Sequence, residues 1–134
     1  MKKNTVHTGK RKASIARAFV KPGKGMVYIN NKPLELVYPK LARMRIQEAL
    51  LFAGDILKNV DVYCNVKGGG YMGQANAARV AIGKALVDYS GSNALKNAYL
   101  EYDRSLLISD VRRKETRKPN THGNARAKVQ KSYR

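Results

Sequence analysis

The sequence predicts a layered α/β body, a sheet with helices packed on one face, that runs into an extended basic C-terminal tail. Three stretches carry that reading. Residues 60–67, VDVYCNVK, alternate cleanly between apolar and polar side chains, as a strand with one buried face must. Residues 71–89 are Ala-rich, and Ala75, Ala78, Ile82, Ala85, Leu86 and Tyr89 recur at helical spacing to give an apolar stripe. The last 24 residues, Val111 to Arg134, hold nine Lys or Arg against the single acid Glu115, and only Val111, Val129 and Tyr133 as sizeable apolar groups.

Residues 12–21, KASIARAFVK, read as a strand of small and branched side chains, and Pro22, Gly23 and Gly25 turn the chain into GMVYIN. In this second strand Met26 and Tyr28 share one face and Val27 and Ile29 the other. Asn30 and Asn31 tolerate positive φ, so a tight turn into Lys32, Pro33 and Leu34 is expected. Pro39 suits a first helical position; Ala42, Ile46, Ala49, Leu50 and Ala53 then repeat at helical spacing until Gly54 supplies a stop.

In the strand at 60–67, Val60, Val62, Cys64 and Val66 form the buried face, and Asp61, Tyr63, Asn65 and Lys67 the other. After Gly68, Gly69 and Gly70 the long helix turns Gln74, Asn76, Arg79, Lys84 and Asp88 toward water or a partner. Ser90, Gly91 and Ser92 break the pattern, Ser92 or Asn93 can cap, and Leu95, Ala98, Tyr99 and Tyr102 give a further short helix. Residues 105–109, SLLIS, are expected to add an edge strand. The chain thus divides into a body over 1–110, which includes a basic N-terminal segment, and a tail over 111–134.

The 134 residues contain 27 Lys plus Arg and 9 Asp plus Glu, for a formal charge of +18, which an ordinary globular enzyme has no need of. Residues 1–24 hold eight bases and no acid, and residues 25–110 ten bases and eight acids. The excess therefore lies at the two ends. Residues 111–134 are too poor in apolar surface to offset their ordering entropy, and Pro119, Asn120 and Gly123 interrupt any helix. Such a tail is expected to be disordered alone and extended on a polyanion. Five of its nine bases are Arg, whose planar fork matches phosphate oxygens two at a time.

No apolar run approaches the roughly eighteen residues of a membrane helix, and the N-terminal MKKNTVHTGKRK has no apolar stretch of a secretory signal. The one cysteine, Cys64, falls on the buried face of a strand and reads as a small hydrophobe. These features suit a reducing, intracellular setting. His7 and His122 lie far apart with no Cys pair beside them, so no metal site is expected, and Thr8, Ser90 and Ser92 have no convincing base partner.

Gly68-x-Gly70-x-x-Gly73 follows a strand and opens a helix, as a dinucleotide fingerprint would. The acid due about twenty residues on would be Asp88, which falls in the same helix and cannot reach a ribose from the end of a second strand. A phosphate-cradling Walker loop fails as well, because Lys84 is mid-helix and Ala85 replaces the hydroxyl residue. Two readings of the glycines remain: backbone N–H groups that approach an RNA phosphate at the helix start, or a plain strand-to-helix turn. Gly83 marks a close backbone approach, more often to protein than to RNA. Tyr28, Tyr89 and Tyr99 fit core stripes, and Tyr71 and Tyr133 are the freer tyrosines, so no aromatic RNA platform is expected.

Residues 8–18, TGKRKASIARA, residues 68–86, GGGYMGQANAARVAIGKAL, and residues 102–115, YDRSLLISDVRRKE, with QKSYR at the end, together resemble the universal small-ribosomal-subunit protein nine family over nearly the whole chain. The Lys-Ser-Tyr-Arg ending is similar to archaeal and eukaryotic members. Residues 121–128, THGNARAK, depart from the Gly-Pro or Gly-Ala that relatives often carry before the Arg. The resemblance implies a body of the ribosomal S-five domain-two-like type, a two-layer α/β sandwich, in the small-subunit head of a cytoplasmic ribosome. It implies no catalysis, cofactor, membrane or small-molecule substrate.

Its expected partners are small-subunit ribosomal RNA, peptidyl-site tRNA and neighbouring head proteins. The candidates for ribosomal RNA are Lys10, Arg11, Lys12 and Arg17; Gly68, Gly69, Gly70, Gln74 and Arg79; and, in the tail, Arg112, Arg113, Lys114, Arg117, Lys118, Arg126 and Lys128. Lys131, Tyr133 and the terminal Arg134 are the candidates for the tRNA anticodon stem-loop. Charge alone also fits a free-standing chromatin-like protein or RNA chaperone, which co-sedimentation with small subunits distinguishes.

Overall fold

Strand registers pair buried residues with buried residues: Gly9 lies opposite Ala16, Ala16 opposite Val66, Ala18 opposite Cys64, Val20 opposite Val62, and Ile29 opposite Cys64. Because paired residues share a face, the whole sheet has one dry side. A computed structural model describes residues 5–126 of the chain. Its elements are β1 (His7–Arg11), β2 (Ser14–Pro22), β3 (Val27–Ile29), β4 (Lys32–Pro33), α1 (Lys40–Leu51), α2 (Gly54–Lys58), β5 (Val60–Lys67), α3 (Tyr71–Ser90) and α4 (Asn93–Tyr102), with 3₁₀ turns at Leu34–Leu36 and Arg104–Leu106.

The five strands are ordered β1-β2-β5-β3-β4. All neighbours are antiparallel except β3 and β5, which run parallel and are joined through α1 and α2. Helix α3 lies on the dry face against β1, β2 and β5, and α1 packs beside it. The expected positive φ is present at Asn30, 50°, and Asn31, 65°. The Asn30 side chain also takes the place of a strand partner: its Oδ1 accepts the Val66 N–H at 2.7 Å and its Nδ2 donates to the Val66 carbonyl at 3.2 Å.

Four expectations need correction. The basic segment before residue 12 contains a strand: β1 pairs with β2 in a hairpin turned at Lys12, whose φ is 53°. Hydropathy misses it because its one residue pressed onto α3 is Gly9, where a Cβ would strike the Ala77 carbonyl and lie 2.7 Å from the Ala81 nitrogen. Gly54 does not simply end a helix. Helix α1 closes at Leu51, and Gly54, at φ 41°, opens the five-residue α2. Residues 105–109 form no strand; Arg104–Leu106 is a 3₁₀ turn capped by Asp103, whose carboxylate accepts the Ser105 N–H at 2.8 Å. That turn drives Leu106 fully into the core.

The fourth correction concerns α3, which is buried on more than one stripe. Ala77, Val80 and Ala81 are covered along with Ala75, Ala78, Ile82, Ala85 and Leu86, because β1 lies over them at Gly9 and the 104–106 turn closes over Gly83. The many alanines let those neighbours come close. Gly83 is the extreme case, since a Cβ there would lie 3.1 Å from the Leu106 carbonyl oxygen. Tyr99 of α4 is fully buried and donates its hydroxyl to the Ala49 carbonyl at 2.6 Å, tying α4 to α1, and desolvation pushes its pKa up to about 12. Burial likewise pushes the Cys64 thiol up to about 12, so it packs as a neutral hydrophobe.

Candidate nucleic-acid interface

The basic ends of the body converge. Residues 11–13 of the β1–β2 turn and residues 112–114 at the start of the tail face each other across a cleft of ≈ 760 Å³, lined by Arg11, Lys12, Arg112, Arg113, Lys114 and Ala13. Asp110 assembles it. Its carboxylate accepts the Arg112 N–H at 2.9 Å and the Arg112 guanidinium as a fork, Nε at 3.1 Å and Nη2 at 2.8 Å on Oδ2, while Arg11 Nη1 stands 3.0 Å from the same Oδ2. The Arg11 contact is one of charge alone: Nη1 is buried and no acceptor lies in its hydrogen-bond direction.

The Arg112 side chain and then its backbone N–H bring the Asp110 carboxyl far below the ordinary carboxylate range against a smaller desolvation effect, helped by the charges of Arg11 and Arg112. One carboxylate thus holds two arginines and leaves a net positive charge. Among the described residues no hydrogen bond or ion pair engages the side chains of Lys12, Arg113 or Lys114. Exposed cations held together without counter-charge raise the local potential for an anion.

The glycine turn borders this cleft. Gly68 and Gly69, at φ 79° and 68°, press on Ala13 and Ser14: a Cβ at Gly68 would lie 2.6 Å from the Ala13 carbonyl oxygen. Buried Ser14 donates its hydroxyl to the Gly68 carbonyl at 2.8 Å, and Gln74 Nε2 donates to the same oxygen at 3.2 Å. So Gly68 and Gly69 serve close packing of the turn on β2. Gly70 is open, with nothing within 4 Å of a Cβ, and the α3 start above it has no side-chain cap. Its first N–H groups and the positive end of the helix dipole are therefore available to an anion.

Lys10 and Arg17 are exposed on the sheet face opposite the helices. Arg117 and Lys118 are exposed, and Arg126 doubles back to Glu115, its Nε 3.0 Å from Oε2. The turn between them is closed by hydrogen bonds from the Lys118 N–H to the Asn124 carbonyl at 3.2 Å and from the Asn124 N–H to the Thr121 carbonyl at 3.1 Å. Lys128, Lys131, Tyr133 and Arg134 lie outside the described residues.

Arg79, expected to face a partner, is the residue this geometry withdraws from the interface. Its side chain is 3% exposed; Nη2 bonds Asp103 Oδ2 at 2.9 Å and Glu48 Oε1 at 3.1 Å, and Nη1 donates to Ser105 Oγ at 3.2 Å. Nε lies 3.1 Å from Glu48 Oε2 as an ion pair without hydrogen-bond alignment. Arg45 joins the group, bonding Glu48 Oε2 at 2.8 Å and Asn76 Oδ1 at 3.0 Å, and the Tyr102 hydroxyl donates to Glu48 Oε1 at 2.7 Å. Two arginines face two carboxylates, so the cluster is neutral. The sequence gives no sign of it, because Glu48, Arg79 and Asp103 are brought together only by the packing of α1 on α3 and the turn after α4. Asp110 was missed too, although a lone acid just before a basic run is a legible signal.

Among the described residues no group of three or more His, Cys, Asp or Glu is placed to hold a metal ion, and no helix is long and apolar enough to cross a membrane. The molecule is thus a mixed α/β body with a convergent basic cleft whose charge Asp110 offsets only in part. The chain belongs to the ribosomal protein S9/S16 family, whose model matches residues 9–134. It is 52% identical over 127 residues to small ribosomal subunit protein uS9 of Methanothrix thermoacetophila, covering 95% of this chain and 96% of that protein. It is 51% identical over 131 residues to small ribosomal subunit protein uS9 of Methanococcus maripaludis, covering 96% of this chain and 98% of that one.

Proposed function

We propose that this chain is a structural, non-catalytic constituent of the small-subunit head in the cytoplasmic ribosome. Its body, of the ribosomal S-five domain-two-like type, holds ribosomal RNA through the basic cleft and the α3 start. Its C-terminal residues Lys131, Tyr133 and Arg134 extend to the anticodon stem-loop of the peptidyl-site tRNA. The observation that carries the RNA-binding role is the cleft: Lys12, Arg113 and Lys114 are gathered from two ends of the chain and given no counter-charge. Membership in the ribosomal family supports the subunit assignment, and the resemblance of the tail supports the tRNA contact.

Filter binding of tRNA to purified small subunits tests the finer part. A guanidinium that bonds anticodon-loop phosphates contributes about 1.5–3 kcal/mol. Deleting Arg134 therefore spares subunit assembly and weakens peptidyl-site tRNA by roughly tenfold to a hundredfold or less, with Arg134→Lys intermediate because it keeps the charge and loses the fork. Equal tRNA affinity on fully assembled subunits contradicts the tRNA contact while leaving the ribosomal RNA role intact. Failure of the tagged chain to co-sediment with small subunits contradicts both.

A further inference from the structure

The sheet face turned away from the helices carries its own set of groups. The registers align Phe19 of β2 with Tyr63 of β5, and Tyr63 with Tyr28 of β3. In each pair the rings are within 13° of parallel with centroids 5.2 Å apart, so three aromatic side chains form one row across adjacent strands. All three are half-buried. Tyr28, which its sequence spacing assigned to a core stripe, therefore lies on the face away from the core, and the row exists only because β3 and β5 pair in parallel.

Cations surround that row. The Lys21 ammonium lies 5.4 Å from the Phe19 centroid and 5.6 Å from that of Tyr63. Arg17 stands two residues before Phe19 on the same face, and Lys67 and Lys10 flank Ile15 by register; all three cations are exposed. The acid on this face, Asp61, is occupied: its Oδ1 accepts the Lys24 and Met26 N–H groups at 2.9 Å each, which fixes the β2–β3 turn. Those bonds, Met26 first, hold its carboxyl below the ordinary range, so it faces the cations as part of the backbone turn.

A partner for this face has to offer flat apolar surfaces and negative charge at short, repeated intervals. A double helix offers the phosphates and keeps its base faces stacked away. An unpaired RNA segment offers both, because every base has a π-face and each nucleotide carries a phosphate. Because the rings stack on one another, the row turns their edges outward. We propose that the open sheet face is a platform for single-stranded RNA, on which unpaired bases lie flat against the ring edges of the Phe19–Tyr63–Tyr28 row while Lys10, Arg17, Lys21 and Lys67 hold the connecting phosphates. The platform rests on the ribosomal RNA role and adds to it a second surface with a different preference from the cleft.

Fluorescence anisotropy of the full chain with a labelled uridine-rich single strand, and with an RNA duplex of equal length, separates the two. Tyr63→Leu and, on a different strand, Phe19→Leu each weaken single-strand binding roughly threefold to tenfold, the size of one lost edge-to-face aromatic contact. Both leave duplex affinity within about twofold. The cleft variant Arg113→Gln/Lys114→Gln weakens both RNAs. Thermal unfolding identifies any variant that fails to fold, and Lys21→Gln, exposed on the same face, then replaces it with the same direction expected.

Unchanged single-strand affinity in folded aromatic variants, alongside a weakened cleft variant, overturns the platform and leaves the RNA-binding role standing. Equal losses on single strand and duplex also overturn it. Aromatic variants that bind RNA as wild type but shed a neighbouring protein from assembled subunits assign the face to protein instead. A wild-type chain that binds neither RNA and does not sediment with small subunits overturns the RNA-binding role itself.

Discussion

Arg79 and Arg113 carry the same guanidinium into opposite surroundings. Arg79 is 3% exposed and ringed by Glu48, Asp103 and Ser105 within a neutral cluster, whereas Arg113 is exposed, shares its cleft with four other cations and has no protein partner among the described residues. Each arrangement has its own physical use. A charge removed from water is tolerable only when fully paired, so the Arg79 cluster locks α1, α3 and the 104–106 turn into one arrangement. A charge left in water with like neighbours contributes nothing to the fold and is ready for a phosphate. The chain's excess of +18 thus belongs to surfaces such as the cleft, and none of it to the cluster.

The largest effect that would break this comparison is on stability. Arg79→Ala leaves Asp103 without its cation and Glu48 with Arg45 alone in a part-buried site, and loss of one partner of such a group costs up to about 3–5 kcal/mol. Urea unfolding of the full chain measures it. A loss within ~0.5 kcal/mol, the range of ordinary surface substitutions, would mean that the cluster is not holding the helices.

A smaller effect follows with pH. Partial desolvation raises the Asp103 carboxyl, but the Arg79 guanidinium and the Ser105 hydroxyl and N–H outweigh it and bring the pKa from an ordinary 3.8 down to about 2. A carboxyl depressed in the folded state contributes stability that is complete above its unfolded pKa and is lost as pH falls through the folded one. The melting temperature is therefore expected to drop between about pH 4 and pH 2, with Asp103→Asn flattening that limb. Thermal melts of both proteins across that range check it, and identical slopes would remove Asp103 from the acid response.

Periodicity made the body legible where one face of an element is uniformly dry. The Val60–Val66 alternation, the α1 stripe of Ala42, Ile46, Ala49 and Leu50 and the Ser92 cap, which accepts the Leu95 N–H at 3.4 Å, stand where the sequence puts them. It failed where burial is decided by partners distant in sequence. Strand β1 presses a glycine onto α3, so it shows no hydropathy; Arg79 lies on the polar side of a helical wheel that other elements then cover. The aromatic row needs a parallel pairing that no local pattern encodes. Of the candidate site, composition located the basic ends, but their meeting at Asp110 is a tertiary fact.

The most direct test of the division between fold-holding and RNA-holding cations is the salt dependence of ribosomal RNA binding by the Arg113→Gln/Lys114→Gln chain. Each phosphate contact contributes about 0.7–0.9 to the slope of log affinity against log salt. Removing two cleft cations is expected to lower that slope by roughly 1.4–1.8 while the melting temperature stays at the wild-type value. An unchanged slope, or a fall in melting temperature like that of Arg79→Ala, would contradict the assignment of the cleft to RNA.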